Sequence, residues 1–100
     1  MSYLEIAEID VVPGQESLFI QAVAEAIPLF KRAKGCLSLE LRDTHEVPSR
    51  FRLMVEWETL EDHTVGFRES DDYVAWRALA SKYFANVPRV EHAAQVLKGF

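Results

Sequence analysis

The chain has 100 residues, 49% of them hydrophobic and 27% charged, with a formal net charge of −5. That composition fits one globular domain with a small core. The acidic balance argues against a nucleic-acid surface, which needs a basic stripe, and against attraction to anionic membranes.

Residues 3–12 predict a strand: Ile6, Ile9, Val11 and Val12 favour it, and Pro13-Gly14 stops it. Its apolar residues fall on both faces, Tyr3, Ala7, Ile9 and Val11 on one, Leu4, Ile6 and Val12 on the other, with Glu8 and Asp10. Residues 15–34 predict an amphipathic helix, because Leu18, Phe19, Ala22, Val23, Ala26, Ile27, Phe30 and Ala33 recur at helical spacing. Lys31, Arg32 and Lys34 suit its C-terminal dipole, and Gly35 suits its stop. Pro28 is expected to kink this helix or end it near residues 24–27.

Residues 36–43 alternate, with Leu37, Leu39 and Leu41 facing one way. A polar loop is expected over 44–49, then a strand over 50–58 with Phe51, Leu53, Val55 and Trp57 on one face. Thr59 can cap a short helix reaching about Gly66, with Asp62 three residues on. Ser70 can cap the next helix, whose stripe is Tyr73, Trp76, Ala80, Tyr83 and Phe84. After Pro88 a last strand is expected over 89–97, with Val90, His92, Ala94 and Val96 on one face.

The order βαββαβ predicts an α+β, ferredoxin-like fold: a four-stranded antiparallel sheet with helices on one face. The uncovered face is expected to meet a second copy of the chain in a two-fold homodimer. The single cysteine, Cys36, cannot form an internal disulfide. No signal peptide and no apolar run of membrane-spanning length is visible, so the cytoplasm is the expected compartment.

Chemistry concentrates between Glu56 and Arg77, where His63 stands among Trp57, Phe67, Tyr73 and Trp76, with Arg68 and Arg77. An imidazole is the side chain whose ordinary pKa suits proton transfer near neutrality. Each residue has a plainer role open to it. His63 can be a surface helix residue, Trp57, Tyr73 and Trp76 core anchors, and the arginines partners of Glu69, Asp71 or Asp72. His92 is a buried structural histidine or an alternative base. His45, His63 and His92 are scattered, so a metal site is not expected, and no Gly-rich cofactor fingerprint is present.

Six segments carry a resemblance: Val12-Pro13-Gly14, Lys34-Gly35-Cys36-Leu37, Glu56-Trp57-Glu58, Asp62-His63, Phe67-Arg68-Glu69-Ser70 and Tyr73-Val74-Ala75-Trp76. In their order and spacing they resemble the antibiotic biosynthesis monooxygenase (ABM) domain of the dimeric α+β barrel superfamily, as one domain over 1–100. The resemblance implies a homodimeric barrel with one pocket per subunit between the sheet and its own helices. It implies oxygenation of a phenol or quinol by O₂ without a cofactor. His63 is then the catalytic base. Trp57, Phe67, Arg68, Tyr73 and Trp76 are then substrate-binding residues. Isomerases and proteins without known activity share the superfamily. Its heme-degrading branch uses a tryptophan, a histidine and an asparagine; here Phe67 stands at the first place, Arg77 or its neighbour at the second, and the first strand lacks asparagine.

Overall fold

The computed structural model describes residues 1–100. The strands are β1 (Tyr3–Asp10), β2 (Cys36–Thr44), β3 (Val47–Trp57) and β4 (Arg89–Ala93), and the α-helices are α1 (Glu16–Lys31) and α2 (Asp71–Ala80). The strands form one antiparallel sheet in the order β2-β3-β1-β4. This is the expected ferredoxin-like α+β arrangement.

Strand alternation decides what the helices cover. Glu5, Ala7 and Ile9 of β1 are buried, as are Phe51, Leu53, Val55 and Trp57 of β3, while the residues between them are half-buried. From α1, Phe19, Val23, Ala26 and Phe30 meet this face. Phe19 packs on Phe51 with ring centroids 5.2 Å apart, and Phe30 on Phe67 at 4.7 Å. Truncating either α1 phenylalanine to alanine costs about 3–5 kcal/mol, because close-packed cores refill only in part.

The structure changes several boundaries. α1 runs through Pro28 to Lys31, so of the two expectations, a kink or an end near residues 24–27, the end is excluded, and the helix stops three residues before Lys34. The missing N–H forfeits one helix bond, but the apolar face holds both sides of it to the sheet. The loop after β2 is shorter than expected, since β2 runs to Thr44 and β3 starts at Val47. Pro48 is tolerated there because β1 pairs with β3 only from Arg50 onward, so no β1 carbonyl needs its N–H. A register shift between Cys36 and Ser38 turns Leu37 outward, 55% exposed, and leaves Cys36 packed on the core. β4 ends at Ala93 because its last partner is Leu4, and β1 begins at Tyr3. Val96 therefore has no strand to pair with and is exposed.

The segment after β3 forms a π-helical turn, Asp62–Phe67. Thr59 caps its approach, as the sequence predicts, accepting from the Asp62 N–H at 3.1 Å. The Arg68 N–H bonds the His63 carbonyl at 3.1 Å, a five-residue span. This wider turn brings His63 and Phe67 inward together. Gly35, at φ +79°, lets the chain pass directly beneath the Asp62 side chain; a Cβ there would collide with it. Ser70 caps α2 by accepting from the Tyr73 N–H at 3.2 Å.

Candidate functional site

Register brings the site together. Glu5 stands directly opposite His92 of β4, so both side chains emerge on the helix-covered face. Trp57 ends β3 on that same face, and the π-helical turn lowers His63 onto it. The His63 and Trp57 rings stack at 5.2 Å with an interplanar angle of 17°.

Glu5 Oε1 accepts from Trp57 Nε1–H at 3.0 Å and lies 3.3 Å from His63 Nε2. On the far side of the imidazole, His63 Nδ1 lies 2.7 Å from His92 Nε2. Glu5 and His63 are buried, at 6% and 3% exposure, while His92 is half-buried. The result is a chain: carboxylate, imidazole, imidazole. The ring nitrogens of His63 point away from each other, so the groups join in line rather than converging on one point.

Burial pushes the Glu5 carboxyl up to about 7, against the Trp57 N–H and the charge of Arg68, which both favour the anion. Burial pulls His63 down to about 4, helped by His92 and Arg68. His92 is lowered by burial and then by Arg68. At neutral pH the site thus holds two uncharged imidazoles and a carboxyl poised to gain or lose a proton.

A cavity of about 50 Å³ borders this chain, lined by Glu5, His63, Arg68, Tyr73, Trp76 and Arg77 together with apolar residues of β1, β3 and β4. Trp76 is buried, Tyr73 half-buried, and Arg68 and Arg77 exposed. A larger groove of about 240 Å³ runs between the end of α1 and β2. Its reactive group is Cys36, whose thiol burial and the charge of Glu5 push up, away from the thiolate. The smaller cavity is the one that gathers the titratable groups Glu5 and His63 with two arginines.

The predicted residues divide. His63, Arg68, Tyr73 and Trp76 reach the cavity. Trp57 and Phe67 were expected to touch substrate, but they stand behind the wall. Trp57 holds Glu5 and His63 in place, and Phe67 is wedged between Phe30, Trp57 and Tyr73. A surface role for His63 is ruled out by its burial. Arg77 packs over the Phe84 ring at 5.3 Å, and Asp72 pairs with Arg32 at 2.7 Å rather than with either site arginine. His92 belongs to the site. Glu5 is the residue that motif reading misses. Its signal is a carboxylate on the strand face otherwise made of Tyr3, Ala7, Ile9 and Val11.

Comparison with known proteins agrees with this architecture. Residues 2–79 match the sequence model described as antibiotic biosynthesis monooxygenase. The uncharacterized protein YczJ of Bacillus subtilis (strain 168) is 39% identical over 92 residues, covering 92% of this chain and 97% of YczJ. The crystal structure of a protein from Bordetella bronchiseptica, provisionally named an antibiotic biosynthesis monooxygenase, is 46% identical. It superimposes with a TM-score of 0.94 over 96% of this chain and 98% of that one. Rv0793 from Mycobacterium tuberculosis, 17% identical, shares the fold with a TM-score of 0.80 over 100% of both chains. The chain belongs to the antibiotic biosynthesis monooxygenase family.

Proposed function

We propose that the protein is a cofactor-independent monooxygenase acting on an aromatic phenol or quinol, with the Glu5–His63 pair as its base. The observation that carries this is a buried carboxylate–imidazole pair on the wall of a cavity that also presents aromatic and guanidinium groups. A phenol is a poor electron donor until it loses its proton. The pair takes that proton, and Arg68 or Arg77 stabilises the phenolate. The anion passes one electron to O₂. The resulting radical pair combines into a C–O bond. The returned proton makes the hydroperoxide; the base then removes the C–H proton from the same ring carbon, the O–O bond breaks, and the departing hydroxide leaves with a proton as water, so that the carbon becomes a carbonyl.

Because both nitrogens of His63 face protein partners, His63 acts through Glu5, which lines the cavity itself. At about 50 Å³ this partly open cavity is far below the roughly 300 Å³ of pockets that hold drug-sized ligands. Seating a planar ring against Tyr73 and Trp76 therefore requires the cavity to widen at its exposed rim. Homodimerisation through the uncovered sheet face belongs to the same proposal, supported by the half-burial of Leu4, Ile6 and Met54 without any covering element.

The test is O₂ consumption with reduced naphthoquinols and polycyclic phenols, with catalase and superoxide dismutase suppressing background autoxidation. Saturable uptake that collapses in His63→Ala supports the proposal; uptake no faster than the protein-free solution overturns it. A group that can both accept and return a proton also favours a second reading, an isomerase. Turnover that persists without O₂ would select it.

A further inference from the structure

The oxygenase proposal leaves open how a carboxyl only 6% exposed exchanges protons with solvent. We propose that Glu5, His63 and His92 form one proton wire, in which Glu5 stores the proton and His92 Nδ1 is the terminal that meets solvent. This deepens the proposed function and rests on that reading for its role in turnover.

The geometry supplies both links among the three residues, and half-buried His92 is the member nearest solvent. Glu5 Oε1 faces His63 Nε2 at 3.3 Å, and His63 Nδ1 faces His92 Nε2 at 2.7 Å. A neutral imidazole carries a single N–H, so each histidine donates on one side and accepts on the other. When Glu5 is ionised, His63 Nε2–H donates to the carboxylate and His92 Nε2–H donates to His63 Nδ1. When Glu5 holds a proton on Oε1, all the donors reverse. Glu5 O–H then donates to His63 Nε2, His63 Nδ1–H donates to His92 Nε2, and His92 carries its proton on Nδ1.

The two states differ by one proton, which enters or leaves at His92 Nδ1. In the inward direction His92 takes a proton on Nδ1 and releases its Nε2 proton to His63 Nδ1. His63 in turn releases its Nε2 proton to Glu5 Oε1. No net charge is left on either imidazole. Both contacts to Glu5 fall on Oε1, so Oε2 is left without a protein partner on the residue that lines the cavity. The carboxyl can therefore serve substrate from one oxygen and the wire from the other.

The surroundings favour storage on the carboxyl rather than on a ring. Trp57 stacks against His63 and fixes its plane. The charged and titratable groups around Glu5 are His63 and Arg68 after β3, His92 on β4, Cys36 on β2, and Tyr73 and Arg77 on α2. Arg68 disfavours an imidazolium at either histidine, and burial raises the carboxyl.

The test needs no substrate. The full chain, labelled with ¹⁵N-histidine and ¹³C-glutamate, is titrated from about pH 5 to about pH 9 by NMR, a span that brackets the Glu5 transition. The expected result is a shared midpoint near pH 7 for the Glu5 carboxyl and both histidine tautomers, which move from Nε2–H above it to Nδ1–H below it. Glu5→Gln is expected to abolish the tautomer switch. A His63 tautomer that stays fixed while Glu5 titrates overturns the wire, and so does an imidazolium on His63 in that range. If Glu5→Gln fails to fold, the wild-type traces decide alone. A switching wire in a protein without O₂ uptake sinks the oxygenase proposal only. A fixed tautomer in an active enzyme sinks the wire only.

Discussion

Glu5 and Asp10 lie on the same strand, but on opposite faces of the sheet. Asp10 points to the uncovered face, where Arg50 bonds it at 2.8 and 3.2 Å and holds its carboxyl below the usual range. Around it Glu8 meets Arg50, Arg52 and Arg89, making an ion-pair network open to water. Glu5 points under the helices, where its partners are an indole and an imidazole, and burial raises it to about 7. The same functional group is held toward its anion on one face and toward its neutral acid on the other. What differs is the neighbours that the pleat selects.

The comparison breaks first at Glu5→Gln. The amide keeps the shape and an acceptor for Trp57 but cannot take a proton. Quinol-dependent O₂ uptake is expected to fall about 10²–10⁴-fold, the usual contribution of a general base. Asp10→Asn in the same assay should stay within about twofold of wild type, because Asp10 does not line the cavity. Equal losses from both would show that the loss is structural.

Stability against pH separates the faces next. Folded Glu5 keeps its proton up to about 7, while the unfolded chain loses it near the ordinary 4.5. Between those values the folded state binds more protons, so stability falls as pH rises. His63 runs the other way. The unfolded chain takes a proton near 6.5, but the folded chain resists until about 4, so stability falls as pH drops through that window. In wild type the two limbs oppose each other over most of their range. His63→Gln is expected to leave the Glu5 limb alone, gaining on the order of 3 kcal/mol in urea melts as pH falls from about 7 to 4.5. Glu5→Gln is expected to leave the acid-side loss alone. A His63→Gln profile that is flat between those pH values would mean Glu5 titrates normally.

Much of this fold is legible in the sequence, because periodicity and capping are local. The alternation of β3, the helical stripe of α1 and the caps at Thr59 and Ser70 need only neighbours a few residues away. The stretch from Trp57 to Arg77 likewise declares itself through residue types. The partners of that stretch are another matter. Glu5 and His92 enter the site through register, 52 and 29 residues away from Trp57 and His63. The period of a strand gives the face of Glu5 but not the residue opposite it. The same non-local dependence explains β4, which stops one residue short of the N-terminal end of β1. It also explains Phe67, whose spacing suits a pocket wall but whose π-helical turn aims it at Phe30.

Trp57→Phe sharpens the comparison from the side of the indole. The ring and its stacking on His63 are kept, and the Nε1–H bond to Glu5 is lost. That bond favours the carboxylate, so the Glu5 midpoint should rise above about 7. Losing a hydrogen bond to a charged group should cost about 2 kcal/mol above that midpoint and less below it, where the carboxyl is neutral. A cost independent of pH would mean the indole contributes packing alone.

Arg68→Met is the smallest change and asks how far the arginine reaches. Its charge lowers Glu5, His63 and His92 together from an exposed position on the cavity rim. An exposed side chain of this kind should change stability by no more than about 0.5 kcal/mol. The three groups should nevertheless all titrate at higher pH, Glu5 keeping its proton longer and both histidines gaining theirs sooner. Solvent screening makes these shifts salt-dependent, so they should be largest at low ionic strength and shrink toward wild type as salt is added. The Asp10–Arg50 pair supplies the contrast, because its anion is held by direct bonds within the opposite face and should not respond to Arg68 at all. NMR titration of both carboxyls in the one variant reads the two faces side by side. Movement at Asp10, or none at Glu5, would show that Arg68 does not act on the buried chain through its charge.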